Sequence, residues 1–224
     1  MKRLIAIILV LLVILGGMVI YKKITIKNNN TINLQEIEKI ETYITKIYMW
    51  KEITNEALPK FDDINKADET WLWETVKKNL EDYELTKEQI EEKAKELFGE
   101  NFTKEFPTDG TTYLRYNEET GKYNAEGRGL DEEEDSFLLN KIEKTKEGYE
   151  VEIIEFLEDY SNMLNEQTSE IILKNLNEEE IAKVNSEDEE QAKEIVKENI
   201  DRFSKKKVIL KSNEEGQIYV ERVE

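Results

Sequence analysis

The sequence predicts an α+β domain behind a single N-terminal transmembrane helix. Three observations predict it. An apolar run extends unbroken from Leu4 to Ile20, apolar residues then recur at helical spacing to about residue 99, and the spacing changes to alternation after that. Helices followed by mostly antiparallel strands, with one late helix, form the pattern of helices against one face of a sheet. The alternation leaves the other face polar or lining a cleft.

The apolar run carries no charge and is flanked by Met1-Lys2-Arg3 and Tyr21-Lys22-Lys23. Counting Tyr21 it has 18 residues, or ~27 Å of helix against a hydrocarbon core of ~30 Å. Tyr21 at the headgroups and snorkelling lysines make up the difference. A cleaved signal has a shorter core ending in a small-x-small site. Here the small pair Gly16-Gly17 lies inside the run, so length favours an uncleaved anchor. The basic flanks nearly balance. The three-residue basic start favours a cytoplasmic N-terminus and an extracytoplasmic domain. The resulting division is an anchor over 1–21, a linker over 22–33 and an extracytoplasmic α+β domain over 34–224.

Charge separates the same way. Residues 1–30 hold five of the 32 basic residues and none of the 51 acidic ones. The remainder carries 27 basic against 51 acidic residues, a net of −24. Such a surface repels nucleic acid and anionic lipid. It suits solubility, cationic partners or loose divalent-ion binding. Ten Tyr, seven Phe and three Trp mark a folded chain.

Helix one is predicted from about Leu34 to Ala57. It opens with the Asn33/Glu36 capping signal and ends before Pro59. Helix two covers about Asp68 to Leu80. Helix three opens at Thr86 with Gln89 reaching back, buries Ile90, Ala94, Leu97 and Phe98, and stops at Gly99. Thr111–Tyr116 and Lys122–Ala125 flank a turn and read as a hairpin. Ser136–Lys144 and Tyr149–Leu157 form a second, and a phase change near Ile154 implies a bulge or a strand buried on both faces. Ser169–Leu176 reads as a strand or a helical turn, and Asn177 with Glu180 as the cap of a short helix. Ser186 with Glu189 is a capping box for a helix burying Ala192, Ile195, Val196 and Phe203. Lys207–Lys211 and Gln217–Val223 close the chain as a hairpin.

Missing side chains limit the chemistry. The chain has no histidine and no cysteine. Triad hydrolysis, thiol catalysis and the usual zinc sets therefore have no residues to use. Gly127-Arg128-Gly129 reads as a loop, and no cofactor or metal is expected. Asp63, Asn65 and Glu74 fall at positions 1, 3 and 12 of an EF-hand-like loop, but Asp68 stands where the turn requires glycine. The acidic runs Asp131–Asp135 and Glu187–Glu190 read as a solvated loop and a helix start. Seven aromatics cluster in sequence: Trp71, Trp73, Phe102, Phe106, Tyr113, Tyr116 and Tyr123. Most suit a core. Trp71, Trp73, Tyr113, Tyr116 and Tyr123 are the candidates for lining a ligand cleft.

Leu97-Phe98-Gly99, Tyr113-Leu114-Arg115-Tyr116, Gly121-Lys122-Tyr123, Val208-Ile209-Leu210 and Gly216-Gln217-Ile218-Tyr219-Val220 together resemble a pattern in N-terminally membrane-anchored exported proteins of low-GC Gram-positive bacteria. The resemblance covers scattered pieces of residues 95–223. It implies an anchored extracytoplasmic domain and brings no activity or site residues. Helices followed by a curved sheet are also similar to the cystatin-like or nuclear-transport-factor-2-like cone, a likeness of fold alone.

The expected function is therefore a non-enzymatic, membrane-tethered binding or scaffolding domain. Its partners would be the membrane, through residues 4–21, and an envelope protein, without nucleic acid. Two alternatives stand beside it: a carboxylate-dependent hydrolase of wall glycan, and a small-ligand carrier using the aromatic cleft.

Overall fold

The computed structural model describes residues 32–126, 133–166, 169–186 and 188–224. The apolar run, the linker to residue 31, Gly127-Arg128-Gly129, Asp131-Glu132 and Glu187 lie outside them. Among the described residues no helix is long and apolar enough to cross a membrane.

The domain is α+β with antiparallel sheets. Helix α1 (Leu34–Ile47) begins with the expected reciprocal cap between Asn33 and Glu36. It stops ten residues before Ala57, a correction to the predicted length. The cause is tertiary. Tyr48 is extended, and side chains from the next long helix take the last-turn carbonyls. Trp71 Nε1 donates to Ile47 O at 3.0 Å, Lys78 Nζ to Thr45 O at 3.0 Å and Tyr48 O at 2.7 Å, and Asn79 Nδ2 to Lys46 O at 2.9 Å. A helix end supplied with donors in this way has its orphan acceptors satisfied. The chain then makes one turn of helix, α2 (Lys51–Thr54), whose first N–H donates to Asp135 Oδ2 at 2.7 Å.

Helix α3 (Glu69–Lys78) is capped by Asp68 and buries Trp71, Leu72, Trp73 and Val76. Helix α4 (Lys87–Phe98) carries the Thr86/Gln89 capping box and ends at Gly99, where φ is +87°. A Cβ there would lie 2.9 Å from the Tyr219 ring, so both conformation and packing require glycine. Strand β1 (Glu84–Leu85) joins the hairpin β2 (Leu114–Asn117) and β3 (Lys122–Ala125) in a small sheet ordered β1-β3-β2.

The main sheet is built on β4 (Glu133–Lys144) and β5 (Gly148–Asp159), both longer than the predicted hairpin. After the short helix α5 (Ser161–Glu166) come β6 (Glu170–Lys174), β7 (Glu180–Asn185), helix α6 (Glu189–Glu198), β8 (Ser204–Ser212) and β9 (Ile218–Val223). The 170s are therefore a hairpin. Asn177 and Glu180 do not start a helix, because Asn175 Oδ1 accepts from the N–H groups of Asn177 and Glu179 and closes a turn, with Glu178 at φ +65°. The cap of α6 is Asp188, which accepts from Gln191 N at 3.0 Å, and not Ser186. Ser186 instead donates its backbone N–H to Ser169 O across the β6–β7 hairpin.

Strand β5 organises the sheet. Residues Tyr149–Asp159 pair with β4, while the rest of its pairing divides between β8, at Gly148–Glu155, and β6, at Leu157–Asp159. The register shifts at Leu139/Lys141 on β4, and β5 itself is buried on both faces from Ile153 to Leu157. This is the physical origin of the phase change in the sequence. It also corrects the expectation of helices on one face only. Ile153 faces the large core with α1, α3 and α4, whereas Ile154 and Phe156 belong to a second core closed by Ala192 and Val196 of α6.

Candidate functional site

The aromatic cluster seen in sequence is mostly a ladder of rings inside the large core. Trp71 packs on Phe61 and Phe98, Phe98 on Phe102, Phe102 on Trp73, Trp73 on Phe106, and Phe106 on Tyr123, with centroids 4.9–5.8 Å apart. Trp71 and Trp73 are 0% and 1% exposed and Tyr123 is 4% exposed. These three of the five cleft candidates are therefore core residues, with no ring face left for a ligand. Edge-to-face and tilted packing at these distances holds such rings favourably against one another. Tyr116 stacks on Tyr123 and is 45% exposed, and Tyr113 is half-buried.

Tyr113 does line a cavity. A groove of about 310 Å³ opens between α2, the second half of α3, the Leu80–Tyr83 segment and the small sheet. Trp50 at the start of α2, Tyr83 and Tyr113 line it, together with Glu74, Lys77 and Lys78 along α3. The local structure fixes each. Trp50 is held because Asp135 caps the following N–H. The Tyr83 carbonyl accepts from Ala125 N at 2.8 Å, and the residue is 79% exposed. Tyr113 follows a tight turn at Gly110, where φ is +80° and a Cβ would strike Leu114 O at 2.1 Å. Its carbonyl accepts from Glu126 N at 2.9 Å.

The groove's electrostatics divide between floor and rim. Glu74 is 2% exposed and accepts from Thr111 Oγ1 at 3.1 Å. Burial pushes its carboxyl above the ordinary glutamate range despite that bond and nearby Lys77. Lys78 lies over the Trp50 ring at 4.9 Å while its ammonium serves the end of α1, and burial lowers its pKa. Lys77 lies over the Tyr113 ring at 5.5 Å. Glu81, Asp82 and Glu126 complete the rim, with Arg115 Nε 3.3 Å from Glu126 Oε1.

Glu155 is the other buried glutamate, 1% exposed in the middle of β5. Its neighbours are Lys206 at 3.4 Å and Tyr48 Oη at 3.3 Å, both structural partners. In the EF-hand-like trio, Asn65 donates to Asp63 Oδ1 at 3.0 Å but Glu74 lies apart from both. Asp63 caps a 3₁₀ turn, Asn65 binds the backbone of Asn101 and Thr103, and Glu74 is turned into the groove.

Sequence alone pointed to Tyr113 but missed Trp50, Tyr83 and Lys77. These lie at the start of α2, just before β1 and on α3, and line one groove only in the folded domain. The chain matches no protein family, no curated protein and no solved structure.

Proposed function

We propose that this chain is a membrane-tethered extracytoplasmic binding domain that holds a partner protein of the envelope in the groove beside Tyr113. The observation that carries the reading is the placement of Tyr83 and Tyr113 beside Trp50 around an open volume of about 310 Å³, while most other aromatic rings are consumed by the core. Tyr83 is exposed and the other two rings are half-buried, and aromatics around a concavity are the usual anchors of protein recognition. The tether is supported by the uncharged run Leu4–Ile20 with its basic flanks. The net charge of −24 beyond residue 30 supports a domain held off the anionic bilayer. A curved, cone-like sheet is consistent with the register shift in β4.

The test is photo-crosslinking in cells with the full-length chain. A photoreactive phenylalanine at position 83 or 113 should give one discrete adduct, and the same residue at Lys183 on β7 should not. Added protease should remove the domain from intact cells after the wall is stripped. Equal labelling from all three positions, or a domain protected in intact cells, would overturn the reading.

A further inference from the structure

We propose that the partner enters the groove with an arginine side chain, stacked on the Tyr83 and Tyr113 rings and paired with the rim carboxylates. This rests on the groove being the binding site, and adds the chemistry of what it binds.

Among the described residues four acidic ones line the groove, namely Glu74, Glu81, Asp82 and Glu126, against two lysines, with Arg115 pairing Glu126 from beside it. Lys78 is not available to a ligand, because its ammonium donates to two carbonyls at the end of α1. That leaves Lys77 as the single lysine at the rim, and it sits over Tyr113. The rim thus already shows both contacts a guanidinium would make, using the chain's own side chains. A cation rests on a tyrosine face at Lys77, and a guanidinium pairs with a carboxylate at Arg115 and Glu126. Tyr83 has the highest fractional exposure of the large hydrophobic residues among the described ones.

Arginine suits this arrangement better than lysine. Its planar, weakly hydrated group stacks on a ring while its edge meets carboxylates. The acidic domain would also steer a basic segment toward it. Lys77 then acts as an internal competitor. It covers the ring the ligand needs and offsets the charge that attracts it.

The experiment uses the full-length chain in detergent micelles with fluorotyrosine labelling, the Tyr83 and Tyr113 signals being assigned by Y83F and Y113F. The probes are an acetylated Ser-Gly-Arg-Gly-Ser amide, its citrulline and glutamate counterparts, and a tetramer of N-acetylglucosamine. The arginine peptide should shift both signals, and citrulline, the same shape without charge, should not. Lys77→Ala should tighten the arginine peptide by about twofold to fivefold, and Asp82→Asn should weaken it by a similar factor, as single exposed charges do. Added salt should weaken it further. Equal binding of the citrulline peptide, or weaker binding after Lys77→Ala, would overturn the proposal. Shifts caused by the glycan or the glutamate peptide alone would overturn the arginine chemistry and leave the groove as the binding site. If no probe shifts either signal while crosslinks from positions 83 and 113 persist, the arginine chemistry fails and the groove stands. If the crosslinks fail too, both fail.

Discussion

Two buried carboxylates on β5, Glu155 and Asp159, lie four residues apart and share a face of the strand, yet their acidities move in opposite directions. Asp159 is 5% exposed. Burial pushes its carboxyl up, but Lys174 at 2.5 Å and the Ser161 N–H at 2.9 Å outweigh burial and hold it below the ordinary aspartate value of 3.8. Lys174 is shared with Glu133 at 2.7 Å, and its own ammonium is strongly stabilised. Glu155 lies deeper, 1% exposed, and its cation, Lys206, is 3.4 Å away and shared with Glu56 and Leu58 O. Among the described residues its Oε2 has no hydrogen-bond partner. Burial wins there, and the carboxyl stays above the ordinary glutamate value of 4.5. Depth of burial sets the push toward neutrality, and the number and closeness of donors decides whether that push is overcome.

The largest effect should come from breaking the weaker pair. Lys206→Met leaves Glu155 buried without a cation and should cost ~3 kcal/mol at neutral pH. That is about 6–12 °C in melting temperature for a domain of this size. The loss should shrink in acid, where Glu155 can take up a proton. A fall of under 2 °C at neutral pH would mean that Glu155 is already neutral there and that Lys206 serves chiefly Glu56 and Leu58 O.

The next effects sharpen the comparison through pH. Asp159, with a depressed folded value, contributes stability that is present above 3.8 and lost as pH falls through its lowered pKa. Glu155, with a raised folded value, contributes stability present below 4.5 and lost as pH rises through its folded pKa. Asp159→Asn should cost ~2 kcal/mol at neutral pH and flatten the acid limb of the stability curve below about pH 4. Glu155→Gln should cost under ~1 kcal/mol and remove the decline above about pH 4.5. Urea midpoints from pH 3 to pH 7 read both. Identical pH profiles for the two variants would dissolve the distinction between the sites.

How far the fold was legible in sequence follows the same division between local and long-range causes. Asn33 with Glu36 and Thr86 with Gln89 could be read as caps because every partner lies within one turn. The two hairpins were readable from alternation and turn residues, although the first strand starts at Leu114 and not Thr111 and takes in Asn117, and the second pair runs on to Glu133 and Asp159. The end of α1 was not, because the donors that stop it, Trp71, Lys78 and Asn79, lie some thirty residues away. The second core was hidden for a related reason. Ile154 and Phe156 look like a phase error until α6 covers them. The groove was half-hidden. Tyr113 stood out as an aromatic, but the same signal marked Trp71 and Trp73, which fill the core, and gave no weight to Trp50 or Tyr83.

An effect smaller than the loss of Lys206 or of the Asp159 charge tests the link between Glu155 and its surroundings. The Tyr48 hydroxyl lies 3.2 Å from Ser136 O and 3.3 Å from Glu155 Oε1, and has one proton to share between two acceptors. Burial, together with the charges of Glu155 and Asp135, raises the hydroxyl's own pKa well above 10, so it stays protonated. When Glu155 is charged, the hydroxyl donates to a carboxylate, which is worth more than a neutral bond. When Glu155 is protonated, Tyr48 loses that advantage and serves Ser136 O alone. Tyr48→Phe should therefore cost ~1–1.5 kcal/mol at pH 7 and ~0.5 kcal/mol below pH 4.5. It should also push the Glu155 carboxyl higher still, since one of the groups favouring its charged form is gone. A cost independent of pH would place the hydroxyl on Ser136 O throughout. Glu155 would then have Lys206 as its one polar partner among the described residues, and the contrast with Asp159 would be sharper than the present geometry makes it.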